Sequence, residues 1–168
     1  MIAASKQARF TLAEILIPVD FSEASLEGLE YAIQLGESFG AELIVLFVVE
    51  PLYQAADMGL LLEEHQRLGR EDLRQLGLRL TDRSVKFRAV LRTGRPHQVI
   101  IDEARKQHVD MIVMATHGRS GISHLIMGSV AEKVVSAAGC PVLTVRPNKP
   151  ARTLRPAAAA HSAPVPVH

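Results

Sequence analysis

The sequence contains one cysteine and no tryptophan, and its charges nearly cancel, with 19 Lys and Arg against 18 Asp and Glu. The single thiol, Cys140, has no partner for an internal disulfide, and its place before a proline and an apolar run predicts a buried thiol in a reducing compartment. A net charge of +1 provides neither a basic surface for nucleic acid nor the acidic excess of a disordered chain. The composition therefore predicts a soluble globular protein with no nucleic-acid partner.

Long apolar runs are also missing. The longest, LIVLFVV over residues 43–49, is far shorter than the roughly 20 residues that a helix needs to cross a bilayer. The first apolar stretch is interrupted by Glu14 and Pro18, which is not typical of a signal-peptide core. We therefore expect a cytoplasmic protein without a membrane-bound segment.

Short apolar runs alternate with helix-like segments along the chain. EILIPVD (14–20) and AELIVLFVVE (41–50) are apolar almost throughout, which is typical of strands buried on both faces. The segment between them has apolar residues at helical spacing, with Ser22 able to cap its start and Gly40 able to end it. These features predict a β-α-β unit.

The same alternation continues to residue 146. A long helix is predicted within residues 58–80, and its stripe is too short and too irregular for a coiled coil, so it should pack on a sheet. The stripe consists of Leu62, Gly69, Leu73, Leu76 and Leu80. Three further strands are predicted in 84–94, 109–115 and 140–146, with helices over 96–108 and 128–139.

This alternation predicts an α/β fold, an open doubly wound parallel sheet with helices on both faces. Such sheets bind ligands at the carboxyl ends of their strands, where the winding direction reverses, so function is expected after the first and fourth strands. We place the domain at residues 13–147, after an N-terminal extension over 1–12. Residues 148–168 are rich in proline and alanine and are interpreted as a disordered tail.

Residues 115–129, ATHGRSGISHLIMGS, join the predicted fourth strand to the last helix. The first turn of a helix presents backbone N–H groups that have no partner within the helix, and the helix dipole adds about half a positive charge, so this position favours an anion. Gly118 and Gly121 would let the backbone approach a phosphate closely, and Gly128 removes a side chain where the helix meets the ligand. The stretch is therefore a candidate phosphate site.

Two side chains in this stretch could add to the site. Ser129 supplies a hydroxyl donor and Arg119 a positive charge. The alternative interpretations are that Arg119 is simply solvated and that the glycines only build turns. The stretch is not a Walker loop, a dinucleotide fingerprint or a nucleophile elbow, because the spacings that define those motifs are absent. His117 and His124 lack the carboxylate or cysteine companions of a metal site.

The spacing Gly-x2-Gly-x9-Gly-Ser/Thr of ATP-binding universal stress proteins resembles this stretch, with Ala115, Gly118, Gly128 and Ser129 at the four positions. The resemblance extends over residues 13–147 and includes PVD, TGRPHQVI, GSVAEKVV and CPVLTVR. It implies a Rossmann-like, five-stranded sheet in the order 3-2-1-4-5, similar to adenine nucleotide alpha hydrolases. It also implies ATP, with Mg²⁺ held by phosphate and water, and a homodimer through the last strand, Pro141 to Arg146.

Roles at single positions follow from the resemblance. Asp20 corresponds to the acid that contacts ribose and Val48 to the strand residue whose backbone meets adenine, although Asp20 could instead help to cap the first helix beside Ser22. The phosphate-binding positions are Gly118, Gly128, Ser129 and the amide of Val130, and His117 is expected to line the site. Ala115 replaces the first glycine of the motif, and we expect binding to survive because alanine tolerates strand geometry.

No catalytic base for ATP hydrolysis can be named from the sequence, so a nucleotide-responsive regulator of stress adaptation is favoured over an enzyme. The alternative is a dimeric stress-response scaffold that binds no nucleotide and acts through protein partners, which Ala115 would favour. A flavin carrier is a third possibility, but residues 115–129 contain no aromatic side chain to stack on the flavin ring.

Overall fold

Five parallel strands form one sheet in the order β3-β2-β1-β4-β5 in the computed structural model, which describes residues 11–51, 58–117 and 127–146. The predicted fold class and strand order are confirmed. The elements in chain order are β1 (Glu14–Val19), α1 (Glu23–Phe39), β2 (Glu42–Val49), α2 (Met58–Leu80), β3 (Phe87–Thr93), α3 (Pro96–Lys106), β4 (Met111–Ala115), α4 (Ser129–Ala137) and β5 (Val142–Val145).

The central strands are buried on both faces, as their uniform apolar sequence predicts. Ile15 and Ile17 of β1 pack under α1 and α2, whereas Leu16 between them packs under α3 and α4. Leu16 is also paired with Ile44 of β2 and Ile112 of β4 in the ladder. One sheet thus separates two apolar layers, and a helix pair covers each face.

Both ends of α1 form as predicted. The Ser22 hydroxyl oxygen accepts a hydrogen bond of 3.2 Å from the Ser25 amide, and Gly40 takes a left-handed φ of 73° with its amide bonded to the Gly36 carbonyl. In the second turn, Gly28 brings the helix against β4, because an added Cβ there would lie 3.3 Å from the Ala115 nitrogen. The start of α1 is therefore fixed close to the end of β4.

The long second helix has the predicted bounds. Leu73, Leu76 and Leu80 are buried against the sheet, and Gly69 is buried against the ring of Phe47, whereas Leu62 is half-buried. The stripe therefore packs on the sheet, as expected. Among the described helices, none has an apolar stretch long enough to span a bilayer.

The chain leaves β1 and β4 toward opposite faces of the sheet. After β1 it enters α1, which packs over β1 and β4 on one face, and the helix that follows β4 in sequence, α4, packs with α3 on the other. Adjacent strands whose connections diverge leave a crevice between their carboxyl ends. The crevice lies where the sequence analysis placed the ligand.

Candidate functional site

A cavity of about 290 Å³ occupies this crevice, a volume near the lower end of the range for small-molecule sites. Elements from both halves of the sheet contribute to it, so it depends on the assembled fold. Its lining comprises Pro18, Val19, Asp20, Ser25, Leu46, Val48, Pro96, Ile100, Met114, Ala115, Thr116, His117, Gly128, Ser129, Val130 and Ala131.

One side of the cavity is apolar. Leu46 and Val48 from β2, Ile100 from α3 and Met114 from β4 line it and belong to the core cluster under α3 and α4, and we call these four residues the apolar wall. Pro96, the first residue of α3, extends the wall outward. Such a surface suits a flat apolar group such as a nucleobase.

The start of α4 forms a polar side of the cavity. Its first intrahelical bond runs from the Glu132 amide to the Gly128 carbonyl at 2.9 Å. The amides of Ser129, Val130 and Ala131 precede that bond, so helix geometry leaves them without a partner in the preceding turn. All three residues line the cavity, which places the positive end of the helix dipole at its edge.

Gly128 makes a close contact that the sequence analysis did not predict. An added Cβ would lie 3.0 Å from the Thr116 carbonyl oxygen and 3.7 Å from the His117 Cα. The Gly128 amide also donates a 2.8 Å hydrogen bond to the same carbonyl. The missing side chain therefore lets the start of α4 approach the end of β4, whether or not a ligand is present.

Asp20 borders the cavity and also supports the start of α1. It lines the cavity, and its Oδ1 accepts hydrogen bonds from the Ser22 amide at 3.0 Å and the Ser22 hydroxyl at 2.5 Å. Its own amide donates to the Ser25 hydroxyl oxygen at 3.3 Å, and that hydroxyl donates to the Ser22 carbonyl at 3.0 Å. The carboxylate is thus held in one orientation at the start of α1.

Thr116 and His117 follow β4 directly. The Thr116 side chain is buried, and its Oγ1 lies 2.9 Å from the His117 Nδ1 in a hydrogen bond. Both residues line the cavity.

Ala115 lies in ordinary strand geometry. It is the last residue of β4 and is paired with Val145 of β5. It does not have a positive φ, which among the described non-glycine residues occurs at Phe21 and His108. Because side chains alternate along a strand, its methyl group points to the α1 face, opposite to Met114 of the apolar wall. Left-handed geometry, the main reason for a glycine here, is therefore not required.

An ion pair between a half-exposed arginine and a buried carboxylate supports the wall that α3 provides. Arg92 of β3 contacts both carboxylate oxygens of Glu103 at 3.0 Å, and Gln107 donates to the same carboxylate at 2.8 Å. Burial raises the pKa of Glu103, but the hydrogen bonds from Gln107 and Arg92 outweigh it, so the pKa is lower than its ordinary value. The pair fixes α3 to the strand next to Val48.

Cys140 lies outside this site and is half-buried rather than buried. Burial, followed by the nearby charge of Asp110, raises the pKa of its thiol. A raised pKa disfavours the thiolate, which is the reactive form.

Seven of the predicted site residues border this one cavity: Asp20, Val48, Ala115, His117, Gly128, Ser129 and Val130. Gly118, Arg119, Gly121 and His124 lie outside the described residues. The sequence analysis did not include Ser25, Leu46, Pro96, Ile100 or Met114 among the site residues. Pro96 could have been found, because it opens a helix beside the carboxyl end of a strand.

Comparison with known proteins agrees with the geometry. A sequence model described as the universal stress protein family matches residues 12–146. A universal stress protein of Methanocaldococcus jannaschii is 34% identical over 141 residues, covering 81% of this chain and 83% of the relative. Another, of Methanothermobacter thermautotrophicus, is 36% identical over 140 residues, covering 79% of this chain and 94% of the relative.

Solved structures show the same fold. UspA of Lactobacillus plantarum superposes with a TM-score of 0.76 at 24% identity, covering 82% of this chain and 99% of its own. A universal stress protein in complex with cAMP superposes at 0.57 and 19% identity, covering 82% and 98%. An Arabidopsis thaliana family member with AMP bound has the same TM-score and identity, covering 84% and 98%. The chain therefore belongs to the universal stress protein family.

Proposed function

We propose that this chain binds ATP, together with Mg²⁺, in the crevice and acts in the cytoplasm as a nucleotide-responsive regulator of stress adaptation. The observation that carries the proposal is the lining of this one cavity, which combines the apolar wall, the first residues of α4 and Asp20. A purine base suits the apolar wall, phosphate suits the amides at the start of α4, and ribose hydroxyls suit the Asp20 carboxylate.

Two related structures support this choice of ligand class, since one contains cAMP and the other AMP. Both molecules join adenine and ribose to a phosphate, the three chemical parts that the cavity accommodates. The extended backbone at Ala115 supports the proposal, because a residue in strand geometry does not need to be glycine and its methyl group is directed to the α1 face, away from Met114 of the apolar wall. The Asp20 carboxylate is hydrogen-bonded to Ser22, so Mg²⁺ is expected to be held mainly by phosphate and water.

The hydrogen bonds of the possible catalytic bases favour a regulatory role over catalysis. Among the described residues that line the cavity, Asp20 and His117 could accept a proton. Asp20 is hydrogen-bonded to Ser22, and His117 to Thr116. Efficient hydrolysis needs a base or a positioned water at the γ-phosphate, so we expect any turnover to be slow.

We further propose that the protein forms a homodimer through its last strand. Strand β5 is the last strand in the order of the described sheet and pairs with β4 on one side. Its other side is an edge of that sheet. Leu143 on β5 is 38% exposed and Val135 on α4 is 45% exposed. A second copy would cover both the strand edge and these apolar side chains.

The test is calorimetric titration of Mg-ATP into the wild type and two serine variants of α4. Ser129→Glu places a carboxylate at the start of the helix, where it opposes phosphate but agrees with the helix dipole, so the fold should persist. Ser136→Glu makes the same change in the last turn, seven residues and about 10 Å further along the helix.

We expect the wild type to bind, Ser129→Glu to weaken the affinity at least about tenfold, and Ser136→Glu to bind within about twofold of the wild type. Equal binding by both variants would place the nucleotide elsewhere. A folded wild type that binds no adenine nucleotide would contradict the proposal and favour the scaffold.

A further inference from the structure

Phe21 has an unusual backbone conformation at the edge of the site. Its φ is 60°, in the left-handed region that bulky side chains rarely occupy. It directly follows Asp20 and precedes the N-cap residue Ser22. Such a conformation persists only where the surrounding structure holds it in place.

The surrounding contacts are on the face of the sheet away from the apolar wall. The Phe21 ring packs against the Phe47 ring with centroids 5.2 Å apart and an interplanar angle of 55°, and both rings pack on the core cluster under α1 and α2. Tilted aromatic pairs of this kind are attractive beyond their buried area. Phe21 is thus anchored in the core while its neighbour Asp20 borders the cavity.

The position of the Phe47 ring depends in turn on α2. An added Cβ at Gly69 would lie 2.6 Å from the Phe47 Cδ1 and 3.3 Å from the Leu91 Cδ1, so only glycine leaves room for the ring where it lies. A continuous series of contacts therefore runs from α2 through Phe47 and Phe21 to the residue that carries the site's carboxylate.

We infer that Phe21 is a positioning residue, whose left-handed turn, anchored on Phe47, holds the Asp20 carboxylate where a ribose hydroxyl can reach it. The inference rests on the proposed nucleotide binding. The hydrogen bonds from Ser22 to the Asp20 Oδ1 require the chain to turn within two residues of the end of β1, and Phe21 makes that turn. When the anchor is removed, the turn relaxes, and the carboxylate loses its fixed orientation.

The experiment compares the affinities for ATP and 2′,3′-dideoxy-ATP, because their ratio reports the ribose contact and little else. The variants are Asp20→Ala, Phe21→Ala and Phe47→Leu, of which the last keeps an apolar side chain but removes the ring pair. The matched control is Phe87→Ala, a half-buried ring of the same core cluster at the amino end of β3, away from the crevice. Urea denaturation of each variant establishes that it is folded and how much stability it has lost.

We expect Asp20→Ala to reduce the wild-type preference for ATP by about tenfold, as for the loss of a hydrogen bond to a charged group. Phe21→Ala and Phe47→Leu should each reduce this preference at least about threefold, whereas Phe87→Ala should leave it within about twofold of the wild type. In the double variant, Phe21→Ala should cause no further loss beyond that of Asp20→Ala. If Phe21→Ala and Phe47→Leu weaken both nucleotides equally and keep the ratio, Phe21 has only a structural role and the inference is wrong.

Hydrogen exchange separates this inference from the proposed function. The Ser22 amide, which is bonded to the Asp20 carboxylate in the ligand-free protein, should exchange faster in Phe21→Ala and Phe47→Leu than in Phe87→Ala. Unchanged exchange would show that the anchor does not hold the carboxylate, whatever the protein binds. If the Ser22 amide exchanges faster in Phe21→Ala and Phe47→Leu but the wild type binds no nucleotide, the anchor holds the carboxylate as inferred and only the ligand assignment is wrong.

Discussion

The Gly128 amide donates a 2.8 Å hydrogen bond to the Thr116 carbonyl, which joins the start of α4 to the end of β4. This contact sets where the helix begins, and therefore where the amides of Ser129 and Val130 point. It also explains why glycine is needed at this position, since any side chain would meet the carbonyl that accepts the bond. The polar side of the cavity is thus built by backbone groups.

Gly128→Ala should destabilise the fold by about 1–2 kcal/mol, because the new Cβ would lie 3.0 Å from the Thr116 oxygen and force the two segments apart. Urea denaturation measures the change. Gly139→Ala, just after the same helix, is the control, because nothing lies within 4 Å of its added Cβ. Equal stability of Gly128→Ala and the wild type would show that the close approach is not required.

Ala115→Gly should leave nucleotide affinity within about twofold of the wild type while it lowers stability by about 0.5–1 kcal/mol, because glycine in a strand loses more backbone entropy on folding. The affinity should not change because the Ala115 backbone is already extended and its methyl group lies on the α1 face. Titration of Mg-ATP into both proteins measures the affinity. A gain of tenfold or more on restoring the glycine would mean that the methyl group does obstruct the site.

Glu103→Gln should remove part of the protein's sensitivity to acid. The pKa of Glu103 is lower in the folded state than its ordinary value of 4.5, so its stabilisation is fully present above that value and is lost as the pH falls through the lower folded value. The variant should be about 1–2 kcal/mol less stable at neutral pH, and the difference should shrink as the pH falls below 4.5.

Urea denaturation at neutral and acidic pH tests this dependence. Asp102→Asn, an exposed carboxylate on the same helix with 74% of its side chain accessible, serves as the control and should lose little stability at either pH. A stability difference for Glu103→Gln that stays constant between neutral pH and acid would contradict the assignment of the ion pair as the cause.

Leu143→Asp should shift the protein toward monomer, because a charged side chain on the exposed face of β5 opposes an apolar contact between two copies. Sedimentation velocity at micromolar concentration measures the association, and at least a tenfold rise in the dissociation constant is expected. Leu78→Asp, at an exposed leucine on α2, is the matched control. A monomeric wild type would contradict the proposed dimer directly.

Sequence periodicity predicted most of the fold because the determinants are local. The uniformly apolar runs of β1 and β2, the Ser22 cap, the left-handed Gly40 and the bounds of α2 all depend on residues near one another in the chain. The strand order did not follow from periodicity and came from the family resemblance. Parallel strands are joined through long crossovers, so their order depends on contacts between distant segments.

The site was predicted less completely, for a related reason. Ser129 was identifiable from motif spacing and Asp20 from the family resemblance, but Ile100 and Met114 look like ordinary core residues. Only the assembled fold places them on the apolar wall. The sequence predicted that Gly128 makes room for a ligand, and it did not predict the close approach of Gly128 to Thr116. The turn at Phe21 is invisible in the sequence, because no propensity favours a left-handed phenylalanine.

The central claim is that the crevice binds an adenine nucleotide with its phosphates at the start of α4. The most direct measurement is a titration of the isotope-labelled protein with Mg-ATP, followed by the NMR signals of its backbone amides. The account predicts shifts concentrated at Ser129, Val130 and Ala131 and near Val48, with little change at Asp110, at the amino end of the sheet. Shifts confined to another surface, or none at saturating ATP, would contradict it.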